Sequence, residues 1–541
     1  MAKRTDEGAR APLPEVAGKV FSGITAVFLC VILFAFPLFY QDRYFDILEA
    51  KYRFYWLAAI ALLAACLVVG LVYCFVDWKE CGGVYGKRFF SSFRPAALRK
   101  QPFAFQALAV FWLFAALSTV LSDYVYESFW GNEGRFSGLF LITLYMATVF
   151  LIGKLGRIRK WYLDAFLVSS VLVCLFGITD YFRMDILHWK ANVNSTQLDS
   201  FTSTMGNINT YTAFVALSLG VACGLFVTEK NPLRKIWDYA VILIAFFAIV
   251  TGQSDNAYLA LGALFAVLPL ILFGKRRGVA DYVLLVASFM TAMRVIDGIN
   301  QKMADQVIGL QGLFDFLVRY EKLEVIVIAL WLLVAVLYIL NFAADRKGVR
   351  QETGIWLRVV WGVFLAAAAL AVLYVLYDAN FGENPERYAA LSRYLIFNDS
   401  WGTGRGYCWR IGWESYEKLP LVHRLFGFGP DTFGILTWDF RQESIEKYGV
   451  FFESAHNEYL QYLVTMGPFA LAAYVAFLAG SCVRMIRAIK ETPWILAPAL
   501  AVICYGAQAL VNINLPIATP LMWALLAAGL ALTRQNPRNL D

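Results

Sequence analysis

The chain alternates long apolar runs with short polar ones from end to end. Runs of about 17–25 apolar residues have the length a helix needs to cross ~30 Å of hydrocarbon. They fall near residues 20–40, 54–76, 103–122, 136–153, 161–181, 206–228, 237–252, 256–274, 279–293, 323–343, 355–377, 457–483, 493–512 and 516–533. The pattern predicts an all-α, polytopic transmembrane helix bundle of about 14 spans, with 279–293 the shortest. No small-residue cleavage site follows the first run, so it reads as a retained span behind a cytoplasmic tail. The polar positions divide the chain into 1–377, eleven helices with short loops; 378–455, one large structured extracytoplasmic loop; and 456–541, three helices and a cytoplasmic tail.

Charge orients the bundle. Short cytoplasmic loops collect Lys and Arg. With the N-terminus inside, the inner segments hold 28 of the 47 basic residues in about 92 positions, among them KLGRIRK, GKRRG and RMIRAIK. The expected topology is N-in, C-in, a multi-pass protein of the cytoplasmic (inner) membrane. The net charge of +7 is the sum of this bias. No segment joins a dense basic stripe to interleaved aromatics, so no nucleic-acid partner is expected. Composition agrees: 60% of residues are hydrophobic and 16% charged, against roughly a quarter charged in soluble domains. Of nine cysteines only Cys408 falls clearly outside and Cys81 clearly inside, which leaves no pair for an extracellular disulfide.

The 378–455 segment is rich in Arg, Glu, Trp, Tyr and Gly, with amphipathic stretches such as Arg410 to Lys418. It is too aromatic for a disordered linker and should form short helices closing over the bundle. Loops 122–135 and 182–204 on the same side are also polar. No acidic residue lies near the middle of a span, which argues against an ion-coupled pump. No metal site or cofactor is expected, since Asp-x-Asp, His-Glu-x-x-His and Cys-x-x-Cys are all missing and GTGRG and GFGP lack a following Lys-Ser/Thr. Glu453-x-x-His456 has helical spacing, but a carboxylate-bridged metal site needs a second copy.

Two kinds of side chain carry the candidate chemistry. His456, in ESAHNEYL, stands where a helix should begin. There the positive end of the helix dipole disfavours imidazolium, and a neutral imidazole can act as a general base. The plainer alternative is a polar cap at a helix end. Arg135, Arg405 and Arg410 collect on the outer side, and guanidinium is shaped to grip phosphate oxygens in two-pronged fashion. Their plainer role is pairing with lipid head groups or with Glu383, Glu386 or Glu414.

GTGRGYCWRIGWESYEKLPLVHRLFGFGPDTF followed by HNEYLQYLVTMGPFAL resembles the core signature of the O-antigen ligase and polymerase family. Arg405 and Trp409 match its first element, Gly427 and Gly429 its second, and His456, Asn457 and Gly467 its third. Upstream, TMGNINTYTAF looks like the family's Gly-Asn-x-Asn segment. The resemblance implies a metal-independent membrane glycosyltransferase of the GT-C type. It would take a glycan from a polyprenyl-diphosphate-linked donor at the outer face and pass it to a glycan or lipid acceptor, with membrane lipids around it, in cell-surface polysaccharide assembly. Carried over, Arg405 and His456 would be catalytic, the first on the diphosphate and the second on the acceptor hydroxyl. Arg135, Arg410, Trp409 and Asn457 would bind substrate. One departure stands out: where the family often has Ser-Arg-Gly, this chain has Ser254-Asp255-Asn256, so Arg135 and Arg410 become the candidates to replace the missing cation. Two competing readings are a lipid-linked glycan flippase or transporter, which needs no His456, and a peptidoglycan glycosyltransferase of the shape-and-division type, which would use a carboxylate such as Asp431.

Overall fold

In hydrocarbon a backbone has no hydrogen-bond partner but itself, so each apolar run closes its amides and carbonyls into helix. Every predicted run is helical in the computed structural model, which describes residues 13–91, 94–195 and 197–535. Expectations for the first twelve residues and for the tail after 535 lie outside the described residues. Among the described residues ten helices are long and apolar enough to cross a membrane, against the fourteen expected. The others fall short for identifiable reasons. Leu139–Leu155, Asn256–Leu272 and Thr519–Gln535 have 17 residues each, about 25 Å at 1.5 Å per residue. Pro232–Thr251 opens on a charged turn with Arg234, Lys235 and Asp238. The run expected at 279–293 is longer than its apolar stretch, a 27-residue helix from Arg276 to Lys302. The only strands among the described residues are Phe201–Thr202 and Gly206–Asn207, paired antiparallel with Phe201 opposite Asn207.

At the centre lies Ile208–Thr228, buried along almost its whole length. It packs on Leu496–Gln508 at very short range, because small residues face each other: a Cβ on Gly220 would stand 2.4 Å from the Ala501 nitrogen, and one on Gly224 2.4 Å from the Ala497 Cα. Small residues at four-residue spacing let two backbones meet where no hydrophobic force from water drives them together. At the periphery, Leu323–Arg346 and Trp356–Phe381 bury almost none of their apolar surface. Such faces suit contact with lipid.

One break shapes the functional end. Glu458–Arg487 is interrupted at Gly467, which has φ of 81°, and Pro468 follows it inside the helix. Proline supplies no amide, so carbonyls one turn earlier lose their helical donors. The Gly427–Gly429 turn replaces them: the Phe428 amide donates to the Val464 carbonyl at 3.4 Å and the Gly429 amide to the Thr465 carbonyl at 2.8 Å. Ser118 Oγ gives Thr465 a second donor at 2.8 Å. A Cβ on Gly427 would sit 2.3 Å from Met466 Cα, so only glycine permits this approach. The two glycine elements of the family signature are thus one packing unit.

The segment between Phe381 and Glu458 is structured, as its aromatic content implies. Trp401–Lys418, Leu421–Phe426, Phe433–Leu436 and Arg441–Tyr448 are helical. They enclose a small core of Tyr407, Ile411, Phe433 and Ala455 that also takes in Val464 of the kinked helix.

Candidate active site

His456 does not sit in the first turn of its helix. Asn457 is the N-cap: its side-chain oxygen accepts from the Tyr459 and Leu460 amides, each at 3.0 Å. His456 therefore precedes the cap, with φ of 47°, and the Glu453-x-x-His456 spacing is not helical. Asn457, expected to touch substrate, spends its oxygen on the helix start. That capping holds the imidazole at the helix mouth. His456 is half-buried, makes a T-shaped contact with Phe452 at 6.1 Å between centroids, and has no hydrogen-bond partner among the described residues.

The imidazole faces a cavity of about 350 Å³. One wall is polar, with Arg135, Asn207, Asn209 and Asn512, and another is apolar, with Ile47, Leu48, Leu515 and Ile517. Arg135 comes from a tight loop between Trp130 and Leu139, far from His456 in sequence. Asp431 pins that loop: its Oδ2 accepts from the Asn132 and Ser137 amides at 2.9 Å each. Burial pushes the Asp431 carboxyl up to about 6, against the pull of the two amides and Arg135. The Arg135 guanidinium itself has no hydrogen bond or ion pair among the described residues. Burial lowers its pKa, while the charges of Asp431 and Glu453 oppose the shift. Arg135 also lines a second, smaller void of about 20 Å³, where buried Ser454 Oγ and Asn514 Oδ1 lack partners among the described residues. Unmet polar groups around one void invite a polar ligand or water.

Arg405 is not part of the lining of this cavity; it follows the break that opens Trp401–Lys418, where Gly402, Thr403 and Gly404 all carry positive φ. Its Nε donates to the Val511 carbonyl at 2.8 Å and its Nη1 to the Gly402 carbonyl at 2.7 Å. Nη1 also stands 3.7 Å from Asp255 Oδ2. The acid that replaces the family's expected cation therefore faces Arg405, and Nη2 remains without a partner among the described residues. Burial lowers the Arg405 pKa and Asp255 opposes it. Arg135 and Arg405 together bear on His456. Burial first, and then these two charges, hold the imidazole down at about 3.

The other expected residues are placed differently. Arg410 commits four of its five N–H groups to carboxylates: Asp399 at 2.8 and 3.0 Å, Glu414 at 3.1 Å and Glu443 at 2.7 Å. Lys447 joins the same cluster. In this structure Arg410, expected to bind substrate, is engaged in holding helices of the loop together. Trp409 packs on Trp401 at 4.8 Å, and its buried indole N–H has no partner. Cys408 is fully buried, so it is not the accessible outer thiol that its position in the sequence implies.

Behind the site runs a network of amides that the sequence reading missed. Asn256 Nδ2 and Asn512 Nδ2 both donate to the Asn209 carbonyl, at 2.9 and 3.1 Å, and both reach Gln508 Oε1, at 3.1 and 2.6 Å. Thr212 closes it by donating to Asn256 Oδ1 at 2.6 Å. The signal was present as Gln508, Asn512 and Asn514 interrupting an apolar run. Glu458, also missed, is 1% exposed and receives the hydroxyls of Tyr474 at 2.6 Å and Tyr505 at 3.2 Å.

Comparison with curated proteins returns no match. Residues 313–475 match the family model described as O-Antigen ligase. That stretch contains Arg405, the Gly427–Gly429 turn, His456 and the Gly467 break, while Arg135 and the amide network lie outside it. By this match, and by the signature residues it takes in, residues 313–475 are similar to the O-antigen ligase family.

Proposed function

We propose that the chain is a glycosyltransferase working at the extracytoplasmic face of the cytoplasmic membrane, on a glycan carried by a polyprenyl diphosphate. The apolar wall of the cavity suits the first units of the polyprenyl chain. Arg135 and the free edge of Arg405 suit the diphosphate, by two-pronged hydrogen bonding. The acceptor hydroxyl, on a glycan or a lipid, attacks the anomeric carbon. The bond from that carbon to the diphosphate oxygen breaks, His456 takes the hydroxyl proton, and the arginines stabilise charge growing on the leaving group. No cofactor enters this scheme.

The observation that carries the reading is one cavity wall bearing two groups with nothing to bind: the His456 imidazole and the Arg135 guanidinium. A packing histidine or a structural arginine would have found partners, as Arg410 did.

The test uses purified protein, a polyprenyl-diphosphate glycan and an acceptor. His456→Gln should slow the single-turnover step by ~10²-fold or more, the usual loss for a general base, with donor affinity little changed. Lipid translocation is followed separately. A variant that transfers glycan at the normal rate but yields little protein would make His456 structural. Translocation without transfer in the wild type would favour a flippase. Turnover should also persist in EDTA, and loss restored by Mg²⁺ or Mn²⁺ would contradict the metal-independent scheme.

A further inference from the structure

Glu458–Arg487 carries His456 and its cap ahead of one end. Its other end lines two adjoining cavities, about 630 and 300 Å³, which share Pro102 and Arg484. Four helices meet there: the start of Phe103–Leu121 and the ends of Leu139–Leu155, Glu458–Arg487 and Thr519–Gln535. Among the described residues the walls bear Lys154, Arg484, Arg487 and Arg534 and one acid, Glu491. Arg484 is half-buried and held in place, since its Nε donates to Thr533 Oγ1 at 2.7 Å. Its two terminal nitrogens have no partner among the described residues, and the Arg487 guanidinium has none either. Away from the arginines the larger cavity is apolar, lined by Phe103, Ala476, Ala479, Gly480 and Val483.

We propose that this groove binds one anionic glycerophospholipid, its phosphate on Arg484 and Arg487 and one acyl chain along Ala476 to Val483. Charge complementarity chooses the occupant. Arg484 and Arg487 bring guanidinium nitrogens without partners among the described residues to the edge of hydrocarbon, and basic pockets between membrane helices take anionic head groups. Shape agrees. From Arg487 back to Ala476 is about 16 Å of helix, roughly half the hydrocarbon thickness, so a lipid tail rather than a bare anion fills it. The site does not depend on the transfer reaction and lies at the far end of the same helix.

Native mass spectrometry of the full chain with phosphatidylglycerol and phosphatidylcholine of identical tails tests it. The wild type should retain phosphatidylglycerol in preference. Arg484→Gln combined with Arg487→Gln should reduce that preference by about fivefold per arginine, the worth of one basic residue near an anionic head group. Arg487→Gln alone, at an exposed residue with no bond to lose, should give one such factor in a protein that folds normally. Ala479→Trp, which fills the apolar part without altering charge, should weaken retention of either lipid. Excess inorganic phosphate should not displace the lipid. Equal retention of the two lipids by the wild type, an undiminished preference in the arginine variants, or displacement by phosphate would each overturn the proposal.

Discussion

Arg135→Gln should move the acid limb of the pH–rate profile toward neutrality. An imidazole near its ordinary pKa of about 6.5 is about 97% protonated at pH 5, a roughly thirtyfold loss of the base form. Held at about 3, His456 is instead about 1% protonated at that pH. The kcat/KM of the wild type, which reports the free enzyme, should therefore stay flat from about pH 5 to 8. Arg135 is one of the two charges that depress the imidazole. Removing it must raise the pKa, so the limb of Arg135→Gln should lie at higher pH than that of the wild type. Bound diphosphate screens the same arginines, so the limb of kcat should lie above that of kcat/KM. A base this weak in the free enzyme would then gain strength when the donor arrives. The same shift has a stability consequence. The folded pKa lies below the unfolded one, so His456 contributes stability that is full above about pH 6.5 and is lost progressively as pH falls toward 3. Single-turnover rates and kcat/KM across this range, for wild type and Arg135→Gln, give the comparison. A wild-type limb centred near 6.5, or an identical limb in the two proteins, would refute the reasoning.

Three further outcomes follow from the packing. Gly427→Ala places a methyl 2.3 Å from Met466 Cα at a φ of 87° and should cost about 2–5 kcal/mol from backbone strain and overpacking; an unchanged thermal inactivation rate would contradict the role given to this turn. Asp255→Asn removes the carboxylate 3.7 Å from Arg405 and should lower the KM for donor; a higher KM would mean that Asp255 holds Arg405 in place. Asp431→Asn keeps an oxygen for the Asn132 and Ser137 amides and should retain turnover well above the ~10²-fold loss of a missing acid–base group; collapse of turnover in a stable protein would make Asp431 the reacting carboxylate of the peptidoglycan-type alternative.

Helices were legible in the sequence because helix formation in lipid is local. An apolar run must satisfy its backbone within itself, and composition over some twenty residues decides this. The same holds for the loop between Phe381 and Glu458, whose aromatic residues announced a folded segment. Motif order identified Arg405 and His456 as residues of interest without placing them in space. What faces what was decided by packing. Arg135 and His456 are brought to one cavity by Asp431, which pins the Arg135 loop from a distant part of the chain. Asp255 finds Arg405 because Asn256–Leu272 and the Trp401–Lys418 break meet at the same end of the bundle. Arg410 resembles Arg405 in sequence but has Asp399, Glu414 and Glu443 within reach, so the two guanidiniums differ in availability. A charge in the sequence has a sign and a side of the membrane. Whether it is free to bind depends on neighbours that only the assembled helices supply.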